Sequence, residues 1–423
     1  MKGHEMRAKR SRVVTCRERT RMMTRCRMWL LVGLLMALGA PAAAGSQTLT
    51  LTMRLAEAEW RVIRQEVLPP FERACGCQVR AIDVAPEALT QRLKAMWAAG
   101  RVEVDLFAQD NMRLQELVDA GLVQPLDEAE IRMDPAVLPT LAAAGVMGGR
   151  RYFLPFRPNV QIAYYNAKKF DAYGLRPPRT WEELLRVAKA FVEKEGIGRV
   201  LFQGVGGAPT TTQLYEWIVS AGGDPLDFAH PGTIATLRFL RDLAPYLSPD
   251  SRRAKWDTTN DALAQESAYL AQNWPFGVRL LVRDYGKSEI RTYSGWAGPA
   301  REAHVIGGDV LGIPIDAPNR NLALRLIRHL QSQAVQEILS SRLGWPTIRG
   351  DAAGTVEPWQ QPHVAAIQEA MRHGIFRANI PYWAGYERIT SEAVERVLWR
   401  KEEPEAVLPS LAARLRTLRG GGR

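Results

Sequence analysis

The sequence predicts an α/β protein of two lobes, each built on a mostly parallel sheet flanked by helices. With 423 residues, of which 46% are hydrophobic and 24% charged, the chain is too long for one simple core, and two domains are expected. Strand and helix patterns alternate from residue 48 onward, which is typical of a parallel sheet covered by helices. Between residues 152 and 166 an extended apolar stretch contains Pro155 and Pro158, which indicates a crossover between lobes.

The basic charge is concentrated at the start of the chain. Of the formal net charge of +11, residues 1–44 contribute +8, and the remaining +3 argues against a polyanionic partner such as nucleic acid. Residues 28–44 are uncharged and apolar, follow Arg25 and Arg27, and end in alanines. This pattern predicts a cleavable signal peptide over residues 1–44, with an N-terminal extension from a misassigned start codon. A transmembrane anchor needs about 20 apolar residues, so we expect export to the periplasm or the cell exterior.

Two cysteines, Cys75 and Cys77, remain beyond the predicted leader, and neither stands at the predicted cleavage point near Ala44. A lipid-anchored mature chain is therefore not expected. The Cys-Gly-Cys spacing leaves open a strained local disulfide in an oxidising compartment and a pair of structural thiols. Two ligands do not make a zinc site, and the six histidines are scattered, so neither a metal nor a cofactor is predicted.

Each element follows from a local pattern. Leu and Thr alternate over residues 48–55 as in a strand, and apolar residues recur at helical spacing over residues 57–74. Thr180 and Glu183 form a capping-box pattern that begins another helix. Further strands are predicted over residues 77–84, 102–108 and 304–314. Further helices are predicted over residues 87–99, 112–120, 180–195, 211–221, 231–243, 321–339 and 362–418, the last with breaks at Gly374, Pro381 and Pro404.

Four segments in the same order resemble the extracellular solute-binding proteins of the maltose-binding type, which serve carbohydrate ABC importers. They are VDLFAQDNMRLQELVDAGLVQPLDE (104–128), FLPFRPNVQIAYYNAKKFDAYGLRPPRTWEELLRVAKAF (153–191), GGDVLGIPIDAPNRNLALRLIRHLQSQAVQEILSSRLGWPTIRGD (307–351) and RANIPYW (377–383). The resemblance implies a periplasmic-binding-protein fold with lobe 1 over residues 46–156 plus 306–343 and lobe 2 over residues 157–305 plus 344–423. It also implies a hinge, a ligand cleft between the lobes, a monomer, transmembrane permease subunits and an ATPase as partners, and no catalysis.

Polar candidates for the cleft lie at strand ends and in the crossover. Asp110 and Asn111 end the third predicted strand, where open α/β sheets bind ligands, although the same residues are typical of a helix cap. Asn159 follows Pro158 in the crossover and is either a ligand contact or a turn residue. Arg157 suits vicinal hydroxyls or a carboxylate across the hinge. The remaining polar and glycine candidates are Gly308, Asp309 and Glu57, for which Glu59 on the same predicted helix turn is the alternative.

Aromatic candidates are chosen because sugar rings have apolar C–H faces. Trp274 and Trp345 lie in predicted loops beside proline or glycine, and Trp383 and Tyr386 are expected on the loop after Pro381. Trp60 and Tyr215 lie on predicted helices. Lobe packing is the alternative for each tryptophan.

The predicted function is binding of a mono- or disaccharide for delivery to a permease. One alternative keeps the fold and binds a glycerol phosphate, a polyol or a polyamine. The other is a secreted glycoside hydrolase, for which Asp110 and Glu57 would have to face each other across a glycosidic bond.

Overall fold

The computed structural model describes residues 47–352 and 356–420 of the chain. The predicted signal peptide lies outside these residues. The described strands, in chain order, are β1 Gln47–Met53, β2 Cys77–Asp83, β3 Leu106–Asp110, β4 Val146–Met147, β5 Arg150–Arg151, β6 Leu154–Val160, β7 Ile162–Asn166, β8 Val200–Leu201, β9 Leu270–Asn273, β10 Ile290–Tyr293, β11 His304–Gly312 and β12 Gly374–Phe376.

Helices cover these strands and carry most of the remaining chain. The described α-helices are α1 Glu57–Val62, α2 Leu68–Cys75, α3 Pro86–Ala98, α4 Leu114–Asp119, α5 Pro139–Ala143, α6 Ala167–Ala172, α7 Trp181–Glu195, α8 Gly207–Ser220, α9 Pro231–Leu243, α10 Trp256–Ala264, α11 Phe276–Arg279, α12 Arg320–Leu330, α13 Gln333–Leu343, α14 Gln361–Arg372, α15 Trp383–Val394 and α16 Pro404–Gly420. Among the described helices, none is long and apolar enough to cross a membrane.

Two sheets organise the described chain. The first has the order β12-β11-β3-β1-β2, with β6 also paired to β11, and the second has the order β10-β7-β9-β8. The chain passes from the first sheet to the second between β6 and β7 through the single residue Gln161. It returns between β10 and β11. The predicted crossover around residues 152–166 is therefore the place where the chain changes sheets.

Strand directions are mixed in both sheets. β1 and β3 are parallel, as are β8 and β9, but β11 runs antiparallel to β3 and β6, and β7 runs antiparallel to β9 and β10. This differs from the mostly parallel arrangement that the alternating pattern predicts. β6 ends and β11 begins where the chain crosses between the sheets, with Val160 paired to Ile306, so these two strands run in opposite directions.

Several predicted boundaries change for local reasons. The helix predicted over residues 321–339 is two helices, because Ser332 caps α13 by accepting a hydrogen bond from the Val335 amide. The capping-box prediction at α7 is confirmed in part. Thr180 accepts from the Glu183 amide, while the Glu183 carboxylate accepts from the Arg179 amide instead of that of Thr180.

Cys75 and Cys77 form a disulfide, with their Cα atoms 5.2 Å apart. The bridge joins the end of α2 to the start of β2. Gly76 lies between them with φ of +67°, a left-handed conformation that glycine adopts at little cost. Of the two possibilities for this pair, the structure has the local disulfide.

Separate apolar clusters hold the two sheets. One face of the first sheet buries Leu49 and Leu51 against α1 and α12, and the other buries Phe107 and Phe153 against α3 and α4. The second sheet has its largest cluster around Phe191 and Trp217, on the side of α7, α8 and α9. Each sheet thus has its own core, as two-lobed proteins require.

Two buried histidines lie beside the second sheet with opposite electrostatic surroundings. His304 lies 2.9 Å from a Glu302 carboxylate oxygen and 3.7 Å from one of Glu216. Burial disfavours its charged form, but the two carboxylates outweigh burial and raise the pKa of His304 to about 9. For His363, burial and the charge of Arg291 lower the pKa to about 4.

We expect the stability of the protein to peak near pH 6.5, the ordinary pKa of histidine. Between pH 6.5 and pH 9 His304 is protonated in the native state but mostly neutral in the unfolded state. Stability therefore falls as pH rises toward 9. Between pH 6.5 and pH 4 His363 is neutral in the native state but mostly protonated in the unfolded state. Stability therefore falls as pH drops toward 4. Each decline is roughly 2 to 3 kcal/mol.

Urea unfolding midpoints measured from pH 4 to pH 9 check this expectation. H304Q should lose most of the alkaline decline, and H363Q should lose part of the acidic one. An alkaline decline of equal size in wild type and H304Q would contradict the assignment.

Candidate functional site

Asp110 and Asn111 lie together at the end of β3. Asp110 pairs in register with Asp309 of β11, and the Asn111 amide donates to the Gly308 carbonyl at 3.0 Å. The Asp110 side chain also accepts a hydrogen bond from the Met112 amide at 3.1 Å, so it caps the turn that follows β3. The Asn111 side chain donates to the Ile306 carbonyl. Its buried Oδ1 has no hydrogen-bond partner among the described residues.

Arg157 joins three elements of the first sheet region. Its guanidinium contacts Asp309 at 2.6 Å and Glu59 at 3.4 Å, and its Cζ lies 4.7 Å from the ring centroid of Trp345. Trp345 in turn donates its indole N–H to Glu59 at 2.9 Å. Of the two roles left open for Arg157, the structure has the carboxylate pairing, and this pairing holds Asp309 in place.

Arg377 connects the two sheets. It follows β12, its side chain is 1% exposed, and it donates to Thr212 of α8 at 2.8 Å and to Asp110 at 3.3 Å. Its Nε has no partner among the described residues. A buried guanidinium N–H without a hydrogen-bond partner is costly to the folded state.

Trp274 provides an aromatic face beside these groups. The residue follows β9 of the second sheet, is 6% exposed, and lies 6.0 Å from Arg377 Cζ, measured from its ring centroid. A Cβ atom on Gly307 would come within 2.7 Å of its ring, so the indole packs against the bare backbone of β11. Asn159 pairs in register with Gly307, and its Oδ1 accepts from the Val160 amide.

The charged groups of this cluster do not balance. Glu59, Asp110 and Asp309 carry three negative charges and Arg157 and Arg377 two positive ones, a formal net charge of −1. Burial, with the nearby charges of Asp110 and Glu59, raises the pKa of Asp309, although Arg157 acts in the opposite direction. Within the described residues, no group of three or more His, Cys, Asp or Glu side chains is placed to hold a metal.

Comparison with known proteins matches residues 66–366 to the family model of the bacterial extracellular solute-binding proteins. The chain belongs to this family. A probable ABC transporter-binding protein of Deinococcus radiodurans is 24% identical over 339 residues, which cover 73% of this chain and 77% of that protein. A multiple sugar-binding protein of Streptococcus mutans is 23% identical over 231 residues, which cover 49% of this chain and 54% of that protein.

Solved structures share the fold of this solute-binding protein. Maltose-bound MalE3 of T. maritima superposes with a TM-score of 0.75 at 21% identity, covering 88% of this chain and all of that one. A solute-binding protein of Thermotoga lettingae bound to α-D-tagatose has a TM-score of 0.74 at 24% identity, with the same coverage. The two-lobed fold and the resemblance to the maltose-binding type are confirmed.

The structure of this solute-binding protein brings together most of the residues that the sequence singles out. Adjacent strands or their ends carry five of them, Asp110, Asn111, Asn159, Gly308 and Asp309. Trp274 packs against β11 at Gly307, and Trp345 contacts Arg157, which pairs with Asp309. Tyr215 contacts the residue after Arg377, because its hydroxyl accepts a hydrogen bond from the Ala378 amide at 3.1 Å.

Four other candidates lie elsewhere in the solute-binding protein. Glu57 is 77% exposed and pairs with Arg64, while Trp60 is buried in the first core with its indole N–H on Asp83. Trp383 and Tyr386 belong to α15 instead of a loop. Both are buried, and their rings pack 5.2 Å apart. The loop prediction is wrong there because the helix begins two residues after Pro381.

Of the site residues, Arg377 is not among the predicted candidates, and Glu59 is there only as the alternative to Glu57. Glu59 occupies the place expected for Glu57, because two further residues on α1 turn the side chain toward Arg157 and Trp345. Arg377 is the first residue of the RANIPYW segment, one of the four that resemble the family. Its position in that segment is the sequence feature by which it could have been chosen as a candidate.

Proposed function

We propose that the protein binds a small carbohydrate, a mono- or disaccharide, at the cluster of Asp110, Asn111, Trp274 and Arg377. The observation that carries the proposal is the unpartnered Nε of Arg377 beside the indole of Trp274, together with the unpartnered Oδ1 of Asn111, which follows the Asp110 that Arg377 contacts. One is an acceptor and the other a donor. Sugar hydroxyls satisfy both kinds of group, and the ring's C–H face suits an indole.

The charge of the cluster favours a neutral solute over the alternatives with a phosphate. A glycerol phosphate would meet a net charge of −1, and both arginines are already paired with carboxylates. A polyamine would need carboxylates free of such pairing. Neutral sugars and polyols have no such conflict, and the ligands bound in two of the similar solved structures, maltose and α-D-tagatose, are sugars.

Catalysis is not part of this proposal. The carboxylate pair considered for a glycoside hydrolase does not form, because Glu57 is exposed on α1 and ion-paired with Arg64, while Asp110 contacts Arg377. Purified protein incubated with chromogenic glycosides should therefore release no chromophore. Release that is lost in D110N would identify an enzyme instead.

The site lies where strands of both sheets meet, and this supports closure of two hinged lobes around the solute. We propose lobe boundaries at the two sheet changes, Gln161 and the connection between β10 and β11, close to the expected 156–157 and 305–306. Residues 344–423 join the second lobe except for β12, which pairs with β11 of the first sheet. The cleaved chain is a periplasmic or extracellular monomer in this proposal. Its disulfide suits an oxidising compartment. The solute is then passed to ABC permease subunits.

A thermal-shift panel of mono- and disaccharides, polyols, sugar phosphates and polyamines tests the proposal. A solute present at about 100 times its Kd stabilises the native state by roughly 2.7 kcal/mol. We expect a sugar to give this shift with wild type and with D351N, which alters a carboxylate paired to Arg349 outside the site. D110N should lose most of it. A shift with polyamines or phosphates alone would contradict carbohydrate binding.

A further inference from the structure

A second cavity lies on the second sheet, away from the cluster of Asp110 and Arg377. It is open to solvent on one side and has a volume of about 780 Å³, within the range of sites for small organic ligands. Its walls are the loop over residues 174–179, the first turns of α7, and the ends of β7 and β10. None of its lining residues belongs to the carbohydrate site.

Positive charge dominates this cavity. Arg176, Arg179 and Arg186 line it together with one carboxylate, that of Glu183, which gives a formal net charge of +2. Glu183 is partly engaged, since it accepts the Arg179 amide and lies 3.6 Å from Arg186. Arg176 has no ion pair within the part of the chain that the structure describes.

Flat aromatic side chains line the same cavity. Tyr165 and Tyr293 meet edge to face with ring centroids 5.8 Å apart, and Arg179 lies over Tyr293 at 5.0 Å. Tyr293 is 7% exposed, and its hydroxyl has no hydrogen-bond partner among the described residues. Burial raises the pKa of this hydroxyl well above its usual range, so it remains a proton donor near neutral pH.

More distant charges do not cancel this excess. Asp171 and Arg291 both act on Tyr165, but with opposite signs. The first turn of α7 carries Glu182 and Glu183, which offset the positive end of the helix dipole, so the positive charge of the cavity comes from its three arginines. A neutral sugar would make no use of these three guanidinium groups.

We propose that this cavity is a second binding site, which takes a small organic anion with a phosphate or carboxylate group attached to a flat ring. Guanidinium groups bind such anions through paired N–H donors, and the partly exposed Tyr165 and Arg179 provide faces for the ring. The site is independent of carbohydrate binding.

Isothermal titration of the mature chain with phenyl phosphate and with inorganic phosphate tests the second site. We expect saturable binding of phenyl phosphate at least about tenfold tighter than that of inorganic phosphate, because the ring adds a stacking surface. R176Q/R186Q should weaken it at least about tenfold through the loss of two anion partners. The matched control R61Q/R132Q removes two exposed arginines outside the cavity and should bind as wild type does.

Three results would overturn the proposal. They are no saturable binding to wild type, equal affinity of R176Q/R186Q and wild type, and equal weakening by both double variants. Sugar-induced thermal shifts in both double variants verify folding, and they test the carbohydrate site separately.

Discussion

G308A is expected to destabilise the protein by at least about 3 kcal/mol and to abolish solute binding. Gly308 has φ of +104°, and a Cβ atom there would lie 1.9 Å from the Arg157 carbonyl oxygen. β11 is paired on both sides at this point, with β3 and β6, so the strand has no free direction in which to move. Any displacement would also shift Asp309 and the carbonyl that holds Asn111.

The matched control is G344A. Gly344 also has a left-handed conformation, with φ of +69°, but an added Cβ would meet nothing within 4 Å. It should cost only about 1 kcal/mol, the ordinary penalty of that conformation. Urea unfolding of the two variants measures the difference. Equal destabilisation would contradict the close approach of β11 to β6.

R377Q is expected to reduce sugar affinity by at least about tenfold, with a loss of stability of about 1 to 3 kcal/mol. The arginine connects Asp110 of the first sheet to Thr212 beside the second, and its free Nε is the donor assigned to the solute. Glutamine retains one amide group for Thr212. It cannot reach both partners and the solute together.

R349Q is the control for burial and charge. Arg349 is 7% exposed and bonds Asp351 at 2.7 Å and Asp134 at 2.8 Å, with no contact to the site. We expect R349Q to lower stability by a similar amount and to leave sugar affinity within about twofold of wild type. Isothermal titration with the sugar that gives the largest thermal shift separates the two variants. Equal affinities of R377Q and wild type would remove Arg377 from the site.

Local patterns predict the long elements well. The helix expected over residues 231–243 has those bounds in the structure, because Pro231 fixes its start and His230 caps it. Shorter elements are not predicted. β8, β9 and β10 have two to four residues each, too few for a period to appear. Their place depends on pairing, of β9 and β10 with β7 and of β8 with β9.

The candidate site is predictable where it follows strand ends. Asp110, Asn111 and Asp309 meet because β3 and β11 are neighbours, and sheet edges bring such residues together in many α/β proteins. The aromatic candidates are harder, since tryptophans beside proline occur both at sites and in cores. Trp274 packs against Gly307, whereas Trp383 begins a buried helix. Only tertiary packing distinguishes the two.

Co-crystallisation with the most stabilising sugar of the thermal-shift panel tests whether a sugar binds against Trp274 with hydroxyls at Asp110, Asn111 and Arg377. We expect density for the ring on the indole face, with hydroxyls within hydrogen-bond distance of Asn111 Oδ1 and Arg377 Nε. A sugar bound elsewhere, with these two atoms still unpartnered, would contradict this expectation.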